Sequence, residues 1–268
     1  MKVVKTAAEL AGGDGGRRGV VMTMGALHAG HLELVRAAAR DCDEVVVTIF
    51  VNPLQFDDPT DLDRYPRNLD ADVALLEPLG VTAVFAPTVA EVYPAGTPEV
   101  TVASGRIGDV FEGEFRPGHF DGVLTVVLKL LNLTRADAAY FGEKDAQQLI
   151  AVRRLVADLN VPVEIVGVPT VRDGDGLALS SRNVFLSTHD REHALALPRA
   201  LAAAAALVAE SRPVDEAIAT GRAVLAQEPG LEVDYLDVLD SSDGEVVIAG
   251  AVRVGAVRLI DNVRASKR

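Results

Sequence analysis

The chain has one cysteine, Cys42, in 268 residues. A single thiol excludes an intramolecular disulfide and any paired-cysteine zinc site, and it fits a reducing compartment. Cys42 lies beside the strand-like stretch 44–51 and reads as a small structural residue. Positive charge is also scarce. There are 26 Lys and Arg against 39 Asp and Glu, giving a net charge of −13 and a pI of about 4.8. General nucleic-acid binding needs a basic field and is excluded on this balance. A site for anionic substrates has to collect its few cations locally. No apolar run reaches membrane-spanning length, since the Ala-rich stretch 200–209 ends at Glu210. Met1-Lys2-Val3-Val4-Lys5 lacks the apolar region of a signal peptide. No Gly-x-Gly-x-x-Gly follows the first buried-type strand, which disfavours a nicotinamide dehydrogenase. The Gly-rich stretch 12–16 precedes a strand and reads as a loop. There is no serine nucleophile elbow. These absences predict a soluble cytoplasmic protein that uses neither nucleic acid nor membrane.

What the chain does have is apolar material, 49% of its residues. That suffices for one large or two modest domains. Strand-like runs at 19–22, 44–51, 82–85, 138–141 and 163–168 alternate with helical patterns at 30–40, 68–79, 119–131 and 145–159. Val45-Val46-Val47-Thr48-Ile49-Phe50 is nearly continuous, as in a strand buried on both faces of a parallel sheet. Repeated βα units predict an α/β fold with a doubly wound, Rossmann-like parallel sheet and ligands at the carboxyl ends of its strands. The texture changes near Val171-Arg172-Asp173-Gly174. Helical patterns at 188–210 and 214–227 follow, then alternating segments at 232–239, 245–248 and 256–260. We expect residues 1–170 to form the Rossmann-like domain, and 171–268 a smaller α+β domain that covers the site.

Chemistry concentrates at strand ends. Met24-Gly25-Ala26-Leu27-His28-Ala29-Gly30-His31 follows the first strand and opens a helix. His-x-Gly-His places two imidazoles where backbone N–H groups and the positive dipole end converge, which suits a phosphate. Glycine lets the backbone come close, and the histidines add donors. The arrangement reads as a nucleoside triphosphate site of the adenylyl-transfer kind and not as a Walker loop. Taken alone, the same pair also reads as ordinary surface residues or metal ligands. Next, Pro53 stops a strand in Phe50-Val51-Asn52-Pro53-Leu54-Gln55-Phe56, so that Asn52 and Gln55 project at the sheet edge and can bond a small polar substrate. An Asn-Pro turn explains the same residues. Arg116-Pro117-Gly118-His119 presents an Arg and a His before a helix, either to an anion or to solvent.

Phe141-Gly142-Glu143-Lys144-Asp145-Ala146-Gln147-Gln148 is another strand end. Lys144 suits polyphosphate, Asp145 suits a ribose hydroxyl, and Gln148 lies one turn on. An exposed helix cap is the competing description. Leu179-Ser180-Ser181-Arg182-Asn183 offers hydroxyls and a guanidinium to a departing pyrophosphate, or forms a simple interdomain turn. His189 and His193 are four apart on a helix, a spacing that could suit a metal. The segment lacks metalloprotease order and an obvious third ligand, so a solvated helix start capped by Ser187 or Thr188 is the better reading.

These clusters, in this order and spacing, resemble the pantothenate synthetases (pantoate–β-alanine ligases), within the wider HxGH nucleotidyltransferase superfamily. The resemblance runs from about residue 19 to 191 and more weakly to 262. It implies a ligase that forms a carbon–nitrogen bond. Pantoate attacks the α-phosphorus of ATP to give pantoyl adenylate and pyrophosphate, and β-alanine then displaces AMP. By this resemblance Met24, Gly25, Ala26, Leu27, His28, Ala29, Gly30 and His31 belong to the ATP site, with His31 as catalytic acid beside His28. Gly142, Glu143, Lys144, Asp145, Val171, Leu179, Ser180, Ser181 and Arg182 complete that site, and Lys144 and Arg182 join the catalytic set. Gln55 and Gln148 hold pantoate, and Gln55 with Asn52 meets β-alanine. Mg²⁺ comes mainly on the ATP phosphates, and the assembly is a homodimer. Met22 and Leu179 depart from the family pattern, which has proline and methionine there. The alternatives are another nucleotidyltransferase of the superfamily, which needs a second cationic pocket near Asn52, and a catalytically silent nucleotide-binding module, which predicts erosion of His28, His31, Lys144 or Arg182.

Overall fold

The computed structural model describes residues 1–10, 15–56, 59–240 and 245–266, so most of the Gly-rich stretch 12–16 lies outside the described residues. Six strands make the first sheet: β1 (Lys2–Val4), β2 (Arg18–Thr23), β3 (Glu44–Ile49), β4 (Ala83–Phe85), β5 (Ala138–Gly142) and β6 (Glu164–Val168). Their order is β1-β4-β3-β2-β5-β6 and every pairing is parallel. The period of two along each strand sends side chains to opposite faces. Val20, Val46, Phe85 and Phe141 face Phe120, Leu124 and Leu131 of helix His119–Thr134 and Leu149 and Val152 of helix Ala146–Asp158. Val21, Val45, Val47, Val84 and Tyr140 face Val35 and Ala38 of helix Ala29–Asp41, with Leu76. Each such aliphatic side chain contributes about 1.5–3 kcal/mol when fully buried. Two cores on two faces make the sheet doubly wound, as the sequence predicts.

The chain runs β2, β3, β4 away from the centre and then crosses to β5 on the other side of β2. The direction of winding therefore reverses between β2 and β5, and crevices form at such points. The turns 24–28 and 143–145 leave these two strands at their carboxyl ends.

Contacts divide the chain into two units: Met1–Glu143 with Gln147–Pro169, and Lys144–Ala146 with Thr170–Arg268. In the second unit, β7 (Leu231–Asp240), β8 (Glu245–Val254) and β9 (Val257–Ser266) form an antiparallel sheet in that order. Helices Ala196–Ala209 and Val214–Ala226 share its core through Leu201, Ala204, Leu225, Leu236 and Ile248.

Several element bounds differ from expectation. The first is β1, which the sequence reading missed. The helix expected at 188–210 is broken into Thr188–Ala194 and Ala196–Ala209, because Pro198 has no N–H and its ring crowds the carbonyl four residues back. Pro78 likewise turns the end of 68–79 into a 3₁₀ turn, Glu77–Leu79. The last two strands are ten residues each and longer than expected. Ala249-Gly250-Ala251 gives little strand signal, and Gly250 packs under Leu197, whose Cδ1 would lie 2.9 Å from a Cβ there. The stretch Thr188–Ala209, 22 residues, is long and apolar enough by composition to pass for a membrane span, contrary to the reading of 200–209 alone. Its apolar residues Leu197, Ala200, Leu201, Ala204 and Val208 pack in the core of this unit.

Candidate active site

The turn after β2 is pinned from below. Buried Thr23 donates through Oγ1 to Thr48 O at 2.8 Å and accepts from Gly25 N at 3.2 Å. Gly25 adopts φ +84°, and a Cβ there would meet Asp72 Oδ2 at 2.9 Å. Asp72 is only 3% exposed, and its two oxygens accept from Ala26 N at 3.0 Å and Leu27 N at 2.8 Å. A buried carboxylate with two charge-assisted bonds holds the turn rigid. The turn then delivers His28 as the N-cap of helix Ala29–Asp41. His28 Nδ1 accepts from Gly30 N at 3.1 Å, and His31 Nδ1 accepts from His28 N at 3.3 Å. The rings lie 4.1 Å apart, centroid to centroid. With each Nδ1 accepting from backbone, the neutral rings carry their proton on Nε2. Capping the helix thus makes both imidazoles Nε2 donors at a dipole's positive end, the polarity an anionic phosphate needs.

Gln55 sits on a built platform. Its side-chain amide donates to Met24 Sδ at 3.0 Å, and Asn52 Nδ2 donates to its Oε1 at 3.2 Å. Its backbone carbonyl accepts from Arg116 Nη2 at 3.2 Å and from His119 Nδ1 at 2.9 Å. Arg116 Nη1 lies 3.0 Å from His119 Nε2, which fits a neutral His119 donating through Nδ1. Arg116 and His119 therefore buttress Gln55, in place of the anion contact or solvated loop that the sequence offered. Gly122 completes the platform, because a Cβ there would run into the carbonyl oxygen of Leu54.

Asn52 does not project into a crevice as expected. It is 1% exposed and hydrogen-bonded all round. Nδ2 donates to Gly122 O as well as to Gln55, at 3.2 Å each. Oδ1 accepts from Leu54 N at 3.3 Å and from Tyr93 Oη at 2.8 Å. Burial pushes the Tyr93 hydroxyl up to about 12, so it remains a donor across the working pH range.

Beyond β5, Gln147 is buried. It accepts from Glu112 N at 2.9 Å and donates to the carbonyls of Ile107 and Val110 at 2.7 and 2.8 Å, which fixes segment 105–112. The neighbouring Gln148 is half-buried and makes no side-chain hydrogen bond among the described residues.

In the second unit, Lys144 Nζ lies 3.6 Å from Asp145 Oδ1, and Asn262 Nδ2 donates to Lys144 O at 2.8 Å. The neighbouring Asp261 is buried and takes a two-pronged pair from Arg172 at 2.7 and 2.9 Å. Arg172 opens a hairpin whose strands meet through Leu179 N donating to Val171 O at 2.9 Å. Arg191 braces the hairpin tip through Asp173 and Asp175, and its guanidinium holds the Asp175 carboxyl below the usual range. The hairpin ends in Ser180, whose Oγ accepts from Arg182 N at 3.2 Å and caps the 3₁₀ turn Ser181–Phe185. Arg182 is exposed, and its guanidinium has no partner among the described residues.

Comparison with known proteins bears on this geometry. Residues 2–264 match the family described as pantoate-beta-alanine ligase. The pantothenate synthetase of Salinispora arenicola is 54% identical over 272 residues, covering 98% of this chain and 96% of the relative. The chain belongs to the pantoate–β-alanine ligase family. A crystal structure of pantothenate synthetase from Thermus thermophilus is similar, with a TM-score of 0.92, 47% identity and coverage of 98% of this chain and 99% of that one. A second, from Francisella tularensis, was solved with beta-gamma ATP and beta-alanine. It has a TM-score of 0.82, 34% identity and coverage of 98% and 97%. Membership in the ligase family makes the chain an enzyme that forms a carbon–nitrogen bond, and leaves the silent-module and other-nucleotidyltransferase alternatives unfavoured.

Sequence reading missed three residues of this ligase: Asp72, Tyr93 and Gln147. Asp72 and Tyr93 sit in no motif with chemical spacing, and Gln147 lies inside the 141–148 cluster with nothing to set it apart from Gln148. Their partners lie between 35 and 46 positions away, so no local signal marks them.

Proposed function

We propose that the chain condenses pantoate with β-alanine, driven by ATP, through a pantoyl-adenylate intermediate. A pantoate carboxylate oxygen attacks the α-phosphorus, the bond to the β-phosphate oxygen breaks, and pyrophosphate leaves. The β-alanine amine then attacks the acyl carbon and AMP departs. The observation that carries this reading is the pair of neutral imidazoles, His28 and His31, locked as Nε2 donors at a helix N-terminus. Preorganised donors aimed at charge that develops on phosphate are usually the largest catalytic contribution.

In this reading neutral His31 acts as a hydrogen-bond donor, not as the acid that the resemblance implied, with His28 its neighbour on the phosphates, while Lys144 and Arg182 neutralise the departing pyrophosphate. Met24, Gly25, Ala26, Leu27, Ala29, Gly30, Gly142, Glu143, Asp145, Val171, Leu179, Ser180 and Ser181 complete the ATP contacts. Gln55 and Gln148 hold pantoate, and Gln55 meets β-alanine. Asn52, with its hydrogen bonds already made, acts by fixing Gln55.

Among the described residues no group of three His, Cys, Asp or Glu side chains is placed to hold a metal ion. We place Mg²⁺ on the ATP phosphates, where it would offset charge on the triphosphate. We place the enzyme in the cytoplasm, in keeping with its single free thiol, as a homodimer of twice 28.3 kDa; light scattering on the purified protein tests the mass. The function is tested by supplying ATP, pantoate and β-alanine and measuring AMP and pantothenate together. Equal molar yields are expected. AMP without pantothenate, or neither product, overturns the reading.

A further inference from the structure

The second unit holds a histidine pair that the ligase chemistry does not use. His189 and His193 lie one turn apart on helix Thr188–Ala194, so their side chains share a face. Their Nε2 atoms face each other at 3.1 Å, with ring centroids 4.4 Å apart and planes at 76°. Two lone pairs cannot meet at that distance without a proton or a cation between them. His193 is oriented from behind. Its Nδ1 lies 2.6 Å from Glu228 Oε1, and Glu228 Oε2 in turn takes Arg199 Nη2 at 3.2 Å. With Nδ1–H donated to Glu228, Nε2 of His193 is the lone-pair nitrogen. Gly230 packs against the same ring, where a Cβ would come within 2.8 Å of Cδ2. The imidazole is thus held in orientation by a carboxylate and by packing, and its ligating atom is turned to its neighbour.

We propose that His189 and His193 bind a divalent transition metal ion of the Ni²⁺, Cu²⁺ or Zn²⁺ class through their two Nε2 atoms, with Glu228 as outer partner. The spacing fits. Metal–imidazole bonds of about 2.0–2.1 Å at interligand angles between square and tetrahedral put the two nitrogens about 2.9–3.4 Å apart. Carboxylate behind histidine behind metal is the usual arrangement for raising imidazole basicity and fixing its tautomer. Imidazole nitrogen selects these ions over Mg²⁺, which prefers oxygen. The protein supplies two ligands, in keeping with the absence of any three-ligand group among the described residues. Water or a small anion fills the remaining positions, and the site is exchangeable.

The test is equilibrium dialysis of the full-length chain against Ni²⁺ with Mg²⁺ in excess, comparing parent, His189→Ala, His193→Ala and Glu228→Ala. His189 is exposed, so His189→Ala is expected to fold and to keep its ligase activity with Mg²⁺ as the only added metal. The parent should hold one more equivalent of Ni²⁺ than either histidine variant, and Glu228→Ala should weaken that equivalent by about 10–100-fold. With Cu²⁺ as probe, the electron spin resonance of the parent should show two coupled nitrogens, reduced to one in His189→Ala. Equal Ni²⁺ uptake by parent and His189→Ala, whether both bind it elsewhere or neither binds it, overturns the proposal.

Discussion

His31 carries two roles that can be separated. Its Nδ1 closes the helix cap by accepting from His28 N, and in the proposed mechanism its Nε2 is the donor to phosphate. Loss of a cap costs about 1 kcal/mol, whereas loss of a preorganised donor or acid costs about 10²–10⁴ in rate. His31→Ala should therefore stay folded, with a small drop in Tm, while adenylation falls by about 10²–10⁴. Single-turnover adenylation and thermal unfolding of one preparation check both halves, and a rate within a few-fold of the parent would remove His31 from the donor role. Leu179 tests the departure from the family pattern. Leu and Met have similar volumes, and such exchanges cost under about 1.5 kcal/mol even in packed sites. Leu179→Met should leave turnover and ATP affinity nearly unchanged, and Arg182→Ala should damage adenylation severely. Steady-state ATP titrations decide, and a large gain from Leu179→Met would mark the chain as a weakened ligase. His28, His31, Lys144 and Arg182, the proposed catalytic set, stand in short motifs that the sequence displays by itself. Asp72 does not. Its carboxylate reads locally as one more acidic residue in the first turn of helix Leu69–Leu76, and only the fold brings it beneath Ala26 and Leu27.

The platform under Gln55 is a property of two elements, the 3₁₀ turn Pro53–Gln55 and helix His119–Thr134. Their backbones touch at Gly122, where a side chain has no room. Gly122→Ala should push the turn away, destabilise the protein by about 1–3 kcal/mol and raise the KM for pantoate more than that for ATP. Equal changes in both KM values would dissociate the platform from pantoate. The same platform gives an alkaline signature. The Tyr93 hydroxyl titrates near 10 in the unfolded chain and is pushed up to about 12 when buried against Asn52. Its contribution, on the order of 2 kcal/mol, is fully present below pH 10 and is lost as the pH rises towards 12. Denaturant midpoints measured from pH 8 to 12 should fall over that window and fall less steeply in Tyr93→Phe. Tyr140 is also raised by burial, so some slope remains in the variant. At this scale the sequence spoke clearly wherever apolar side chains mark both faces of a strand, as in β3. It was silent at the three-residue β1, Lys2-Val3-Val4, and at the Ala-Gly-Ala middle of β8. It ran two helices together across Leu195, because helical periodicity continues through Pro198, which has no N–H to donate to the Ala194 carbonyl.

For the whole molecule, the parallel sheet reverses its winding between β2 and β5, and the histidine turn leaves β2 at that crevice-forming point, where the proposed reaction would take place. The central claim is that this architecture serves adenylation as a step of its own, before β-alanine takes part. A mixed anhydride reacts with water, so the intermediate has to be held in a closed site until the amine arrives. The most direct measurement is exchange of labelled pyrophosphate into ATP with pantoate present and β-alanine withheld. Steady exchange is expected that requires pantoate and falls in His31→Ala in step with adenylation. Exchange that appears only when β-alanine is added would contradict the claim.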